Sequence, residues 1–142
     1  MKFPSREWCE AAALAMLRDQ AVIAAIADFG AVVAGLVIEG VPGSGDFCIL
    51  ARIAPGRPVQ LSYPQDEDEL EELEPDYIGW AASALIRSLL EANLAGKRPD
   101  PLKAILEGKV RLKGDLERLV RHAGRHRGAG LEALRGLPTE FV

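Results

Sequence analysis

The spacing of hydrophobic positions changes several times along the chain, and each change marks an element. Over residues 5–18, Trp8, Ala11, Ala12, Ala15 and Met16 recur at three- and four-residue intervals, which predicts a helix with Ser5 as its N-cap. Asp19 caps a second predicted helix, with Val22, Ile23, Ile26 and Phe29 as its apolar stripe and Gly30 as its stop. Residues 31–40, AVVAGLVIEG, abandon that period: apolar on both alternating faces and β-branched, they predict a central strand. Two further strands, 47–54 and 59–63, follow the turns VPGSGD and PGRP, and such short connections predict antiparallel neighbours. Residues 66–74 show no decisive period and stay open between extended and helical.

Pro75-Asp76 predicts the start of the longest helix, about 77–95, with Ile78, Ala82, Leu85, Ile86, Leu89 and Ala92 or Asn93 on its buried side and Gly96 as its end. Asp100 caps a shorter helix with Pro101 at its first position and Leu102, Ile105 and Leu106 facing inward until Gly108. Lys109, Arg111 and Lys113 then alternate with Val110 and Leu112, a short strand bracketed by Gly108 and Gly114. Asp115 caps a helix running to about Ala123, with Leu116, Leu119, Val120 and Ala123 on one face, and residues 130–137 add a last amphipathic turn or two. The expected architecture is a single α+β domain over residues 1–142: two N-terminal helices, an antiparallel meander, then helices with one late strand inserted among them.

Composition adds one hint. The apolar set AVILMFWYC makes up 49% of the chain while aromatics are only 6%, so the interior is built from Ala, Val, Ile and Leu. Counted with Gly and without Tyr the apolar share is about 57%, above the usual 45–50% and a hint of more oily surface than a solid core needs. The longest apolar runs, 21–27 and 31–38, are too short to span a bilayer, and the first residues lack a signal-peptide core, so a cytoplasmic location is expected. Cys9 and Cys48 sit among apolar neighbours and read as buried thiols rather than a redox pair.

Charge is uneven. The net of −4 combines 6 basic and 15 acidic residues over 1–96 with 11 basic and 6 acidic over 97–142, and eight carboxylates crowd into DEDELEELEPD, residues 66–76. The acidic balance and the lack of aromatics in the basic region argue against a nucleic-acid partner. Lys109, Arg111, Lys113, Arg118, Arg121, Arg125 and Arg127 read either as a solvated face or as an attractor for an anionic lipid head or phosphate-bearing ligand.

Catalytic signals are weak. No serine stands in a nucleophile elbow, neither cysteine has a histidine or cation beside it, and no glycine-rich phosphate loop occurs. His122 and His126 lie four apart, as two metal ligands would, but no third ligand is evident and Gly124 weakens the helix between them, so solvated histidines and no metal are expected. No cofactor is expected either.

The stretch LAGKRPDPLKAILEGKVRLKGDLERLVRHA resembles the C-terminal part of the sterol carrier protein 2 family. The resemblance lies in Gly96-Lys97, Asp100-Pro101, Gly108-Lys109-Val110, Leu112 and Gly114-Asp115, and the N-terminal FPSREWCEAAALAML and the meander fit the same plan. It implies an α+β fold whose five-stranded, mostly antiparallel sheet is covered by helices that enclose a hydrophobic tunnel. It also implies non-enzymatic binding of fatty acids, fatty acyl-CoA, phospholipid or sterol. Matched onto this chain, the tunnel residues expected are Ile78, Leu85, Leu89, Ile105, Leu106, Leu112, Leu116, Leu119 and Val120, with Lys109, Arg111 and Arg121 near the lipid head. Expected partners are a lipid or acyl-CoA ligand and, transiently, an anionic membrane surface; a homodimer is left open. Ile105, Leu106 and Glu107 depart from the aromatic residues and glutamine found in many members. The alternative is a structural or dimerisation module of the same fold with a filled core, and a small hydrolase ranks last.

Overall fold

The computed structural model describes all residues, 1–142. Its elements in order are β1 (Lys2–Phe3), α1 (Arg6–Leu17), α2 (Gln20–Phe29), β2 (Val32–Val41), β3 (Gly45–Ile53), β4 (Gln60–Ser62) and α3 (Glu67–Glu72). There follow β5 (Tyr77–Ala82), α4 (Ser83–Leu94), α5 (Pro101–Leu106), β6 (Arg111–Lys113), α6 (Leu116–Arg125), α7 (Ala129–Ala133) and β7 (Glu140–Phe141). Five strands form one mixed sheet in the order β4-β3-β2-β5-β6, and β1 pairs with β7 in a small parallel ribbon. Only β2 and β5 run parallel within the main sheet; its other pairings are antiparallel.

The predicted caps operate as hydrogen bonds. Ser5 Oγ accepts from the Trp8 N–H at 3.1 Å, Asp19 Oδ1 from Ala21 at 2.9 Å, Asp100 from Leu102 at 3.1 Å and Asp115 from Arg118 at 3.1 Å. Each satisfies a donor that the first helical turn leaves without an intrahelical partner.

The helix expected over 77–95 divides in two. Residues 77–82 form β5, a central strand between β2 and β6, and the helix begins only at Ser83. Five consecutive buried residues, Tyr77 to Ala81, identify the cause. A strand covered on both faces is apolar without alternation, and a short run of this kind is indistinguishable from a buried helical turn by period alone. Aromatic Tyr77 and Trp80 and β-branched Ile78 favour the strand.

The acidic segment 66–74 contains a single turn and a half of helix, α3, capped by Asp66 and held by one residue, the fully buried Leu70. Leu70 sits in the space left by the missing side chain of Gly35, where a Cβ would lie 2.9 Å from Leu70 Cδ1. Gly114 is required at the β6–α6 corner: its φ is +136°, and a Cβ there would lie 2.7 Å from the Asp76 carbonyl oxygen. Tyr77 closes this corner by donating its hydroxyl to the Asp115 carbonyl at 3.0 Å.

Alternation along β2 separates two cores. Val37 faces the α3 side and joins Cys48, Leu50, Leu70, Ile78 and Trp80. Ile38 faces the side of the larger helices and joins Phe3, Trp8, Cys9, Ala12, Val41, Leu90 and Leu134. Ile38 and Leu50 are each 1% exposed; burial of such a side chain is worth about 1.5–3 kcal/mol. Cys9 and Cys48 thus lie on opposite faces of the sheet, both as free buried thiols. Burial pushes the Cys9 thiol up to about 11 and raises that of Cys48.

Candidate functional site

The helix-covered face of the sheet is filled at one end and hollow at the other. At the hollow end a cavity of about 480 Å³ lies between the sheet, α2 and α6. Val22, Ala25, Ile26 and Phe29 of α2 form one wall. Val32, Ala34, Leu36, Ile53, Tyr77, Gly79 and Leu112 form the floor, with Val110 at its edge, and Leu119, His122, Ala123 and His126 project from α6. Fourteen of the twenty lining residues are hydrophobic. The volume falls in the range of small-molecule binding sites.

Local sequence explains the hollow. Pairing aligns Ala34 with Tyr77 and Leu36 with Gly79 across β2 and β5, and Gly79 with Leu112 across β5 and β6, so these residues share one face. Alanine at position 34 presents only a methyl group to this floor, where larger side chains stand around Ile38. Gly79 is tightly framed: a Cβ would lie 3.3 Å from Leu112 Cδ2 and 3.6 Å from Leu36 Cδ1. On α6, residues 119, 122, 123 and 126 are spaced to form one helical stripe, which turns both histidines toward the cavity.

The mouth is polar on one side. A second pocket of about 320 Å³ is bounded by Asp28, Phe29, Asp115, Arg118, Arg121, His122 and Arg125, sharing Phe29 and His122 with the apolar cavity. Arg118 lies 4.3 Å above the Phe29 ring and donates to the Phe29 carbonyl, closing the end of α2. His122 meets the Phe29 ring edge-on at 4.8 Å and places Nε2 2.7 Å from the Ala25 carbonyl oxygen. His126 Nε2 lies 2.9 Å from Asp28 Oδ2, and the Arg125 guanidinium is 3.3 Å from the same oxygen. The hydrogen bond from His126, with the charge of Arg125 behind it, holds the Asp28 carboxyl below the usual carboxylate range. The histidines are therefore half-buried and partnered, in contrast to the solvated side chains expected.

The expected tunnel residues are dispersed. Leu112 and Leu119 line the cavity. Ile78 points to the other face of the sheet, against the Leu70 cluster, because it stands on a strand between Tyr77 and Gly79. Leu85 and Leu89 are half-buried on α4, whose buried contact to the filled core is made by Leu90. Ile105 and Val120 are half-buried outside the cavity lining, and Leu106 and Leu116 are 68% and 46% exposed. Of the expected head-binding cations, Arg121 bounds the mouth pocket. Lys109 pairs with Glu107 at 3.1 Å, while Arg111 lies over the Trp80 ring and 3.9 Å from Glu39. The α2 wall, Ala34 and Gly79 were missed as lining residues; the apolar stripe Val22, Ile26 and Phe29 was visible in the sequence but reads equally as ordinary core, and Ala34 and Gly79 are small residues also suited to a tight core.

No family model matches the chain, and no curated protein matches it. Solved structures do. The solution structure of TT1886 from Thermus thermophilus, a conserved hypothetical protein and candidate sterol carrier, aligns with a TM-score of 0.67 at 16% identity over 96% of this chain and 90% of that one. The solution structure of sterol carrier protein domain 2 of Helicoverpa armigera aligns with a TM-score of 0.50 at 20% identity over 84% of this chain and 87% of that one. The chain has the fold of these proteins: an α+β layer with a five-stranded mixed sheet. No helix is long and apolar enough to cross a membrane.

Proposed function

We propose that this chain is a non-enzymatic lipid-binding protein that takes the apolar part of its ligand into the cavity between the sheet, α2 and α6. The observation that carries the reading is that cavity, about 480 Å³ and walled mainly by aliphatic side chains in a layer that is otherwise filled. Each buried CH₂ of a ligand contributes about 0.8 kcal/mol, so an acyl chain needs no polar chemistry to be held. No serine, threonine or cysteine lines the cavity, which favours binding over acyl transfer. The likeness in fold to a sterol carrier domain supports the same reading.

Among fatty acid, fatty acyl-CoA, phospholipid and sterol, the first three carry an anion that Arg121, with Arg118 and Arg125 beside it, would meet at the mouth. Lys109, paired with Glu107, and Arg111, over the Trp80 ring on the α3 side of the sheet, stand away from the mouth and would not meet the head. The protein would work in the cytoplasm and visit membranes transiently. Gentle purification followed by lipid extraction and mass spectrometry tests the reading, together with displacement of a fluorescent fatty acid. A defined lipid at near-stoichiometric yield, or saturable displacement, is expected. A clean extract with no uptake of the fluorescent probe overturns it.

A further inference from the structure

The structure assigns a divalent transition-metal site to Asp28, His122 and His126, with Zn²⁺ as the reference ion. The ligating atoms of these three residues all lie within 4.8 Å of one another. Two imidazoles and one carboxylate form a ligand set suited to Zn²⁺ and to neighbouring first-row ions. His122 and His126 lie four apart on α6 and its C-terminal cap, on the same stripe, with ring centroids 4.7 Å apart. The third ligand, invisible to the local pattern around the histidines, comes from the last turn of α2.

The geometry needs a small contraction. Metal–nitrogen and metal–oxygen bonds of about 2.0–2.2 Å put tetrahedral ligand atoms about 3.3 Å apart. His126 Nε2 and Asp28 Oδ2 already lie at 2.9 Å, so His122 makes most of the adjustment, leaving its contact with the Ala25 carbonyl. Both rings must free Nε2: as neutral imidazoles each carries its proton on Nδ1 instead, His122 giving up the Ala25 carbonyl and His126 its hydrogen bond to Asp28. Arg125 is the competitor: it holds Asp28 at 3.3 Å, but its side chain is 59% exposed and can turn into water. Arg118 stays engaged with Phe29, and Arg121 lies 3.5 Å from Glu117. Three protein ligands leave a coordination position open, and both histidines also line the apolar cavity. A bound ion would also tie α6 to α2 across the mouth.

The site does not depend on the lipid reading, and its test uses delipidated full-length protein with Zn²⁺ alone. Calorimetric titration should give one Zn²⁺ per chain with micromolar affinity. His122→Ala, His126→Ala and Asp28→Asn should each weaken binding roughly tenfold or more, whereas Arg125→Ala should tighten it by removing the competing cation. The chain contains 2 histidines, so imidazole ¹⁵N shifts in the unmodified protein report on these two rings alone and decide the matter even where a variant fails to fold. Coupled shifts of both rings on Zn²⁺ addition support the site. Absence of binding up to about 1 mM Zn²⁺, unshifted ring nitrogens, or undiminished binding in the folded His122→Ala/His126→Ala double variant overturns it.

Discussion

One side of the sheet holds two ends built from the same kinds of element and ending in opposite results. Around Ile38 the layer is solid: Trp8, Phe3, Leu90 and Leu134 close on it and leave it 1% exposed. A few residues along β2, around Ala34 and Leu36, the facing helices stand off and a cavity remains. The backbone is continuous between the two, and side-chain size makes the difference. Large residues meet large residues at the solid end, whereas Ala25, Ala34 and Ala123 are among the residues lining the hollow one. Since protein interiors are otherwise packed to crystal-like density, the positions where small residues coincide across a layer are where a fold can keep space for something else.

The strongest way to break this comparison is to truncate equivalent side chains at each end. Ile38→Ala should cost about 2–5 kcal/mol by denaturant unfolding, since it opens a closed void. Leu119→Ala should cost only about 1 kcal/mol, because its side chain already borders open space. Equal costs would mean that the two ends are packed alike.

The solid end also has a polar tie. Asn93, 1% exposed, donates to the Leu131 carbonyl at 2.6 Å and receives Arg135 at its own carbonyl at 3.1 Å. Asn93→Leu keeps the volume but removes this donor and the side-chain oxygen that faces Arg135, while the Leu131 carbonyl keeps the Leu134 N–H at 3.0 Å; a loss of about 0.5–1.5 kcal/mol is expected in the same unfolding assay.

Filling the hollow is a milder intervention. Ala34→Leu should change stability by less than about 0.5 kcal/mol while lowering fluorescent fatty-acid binding several-fold. Unchanged binding would place the ligand elsewhere.

The smallest effect concerns pH. Because the folded protein depresses the Asp28 carboxyl, its contribution to stability is present above the unfolded value near 3.8 and fades as pH falls through the lower folded value. Melting curves of Asp28→Asn and the unmodified protein should therefore differ at neutral pH and converge in strong acid. A constant gap across that window would deny the carboxylate its role at the mouth.

Much of this was legible before any coordinates. Ser5, Asp19, Asp100 and Asp115 cap the helices that their positions announced, since capping is a local chemistry read from one residue and its successors. The meander of β2, β3 and β4 was equally local. β5 was not, because a strand buried on both faces loses the alternation that distinguishes it, and the helix that follows lent it a false period. Ile78, read as part of that helix, stands on the strand instead and faces the Leu70 cluster. The cavity wall was harder still: Ala34 and Gly79 acquire their meaning only from the register of β2, β5 and β6. Asp28 is 94 residues from His122 in sequence, a pairing that no periodicity contains.

The acidic helix α3 has a consequence beyond its single buried leucine. It lies on one face of the sheet and the arginines of the mouth on the other, so the densest cluster of carboxylates and a cluster of guanidinium groups are held apart by the sheet. In the field of any anionic surface it would be turned before it touched, cavity first, with the carboxylates of residues 66–76 pushed outward like the tail of a weathervane.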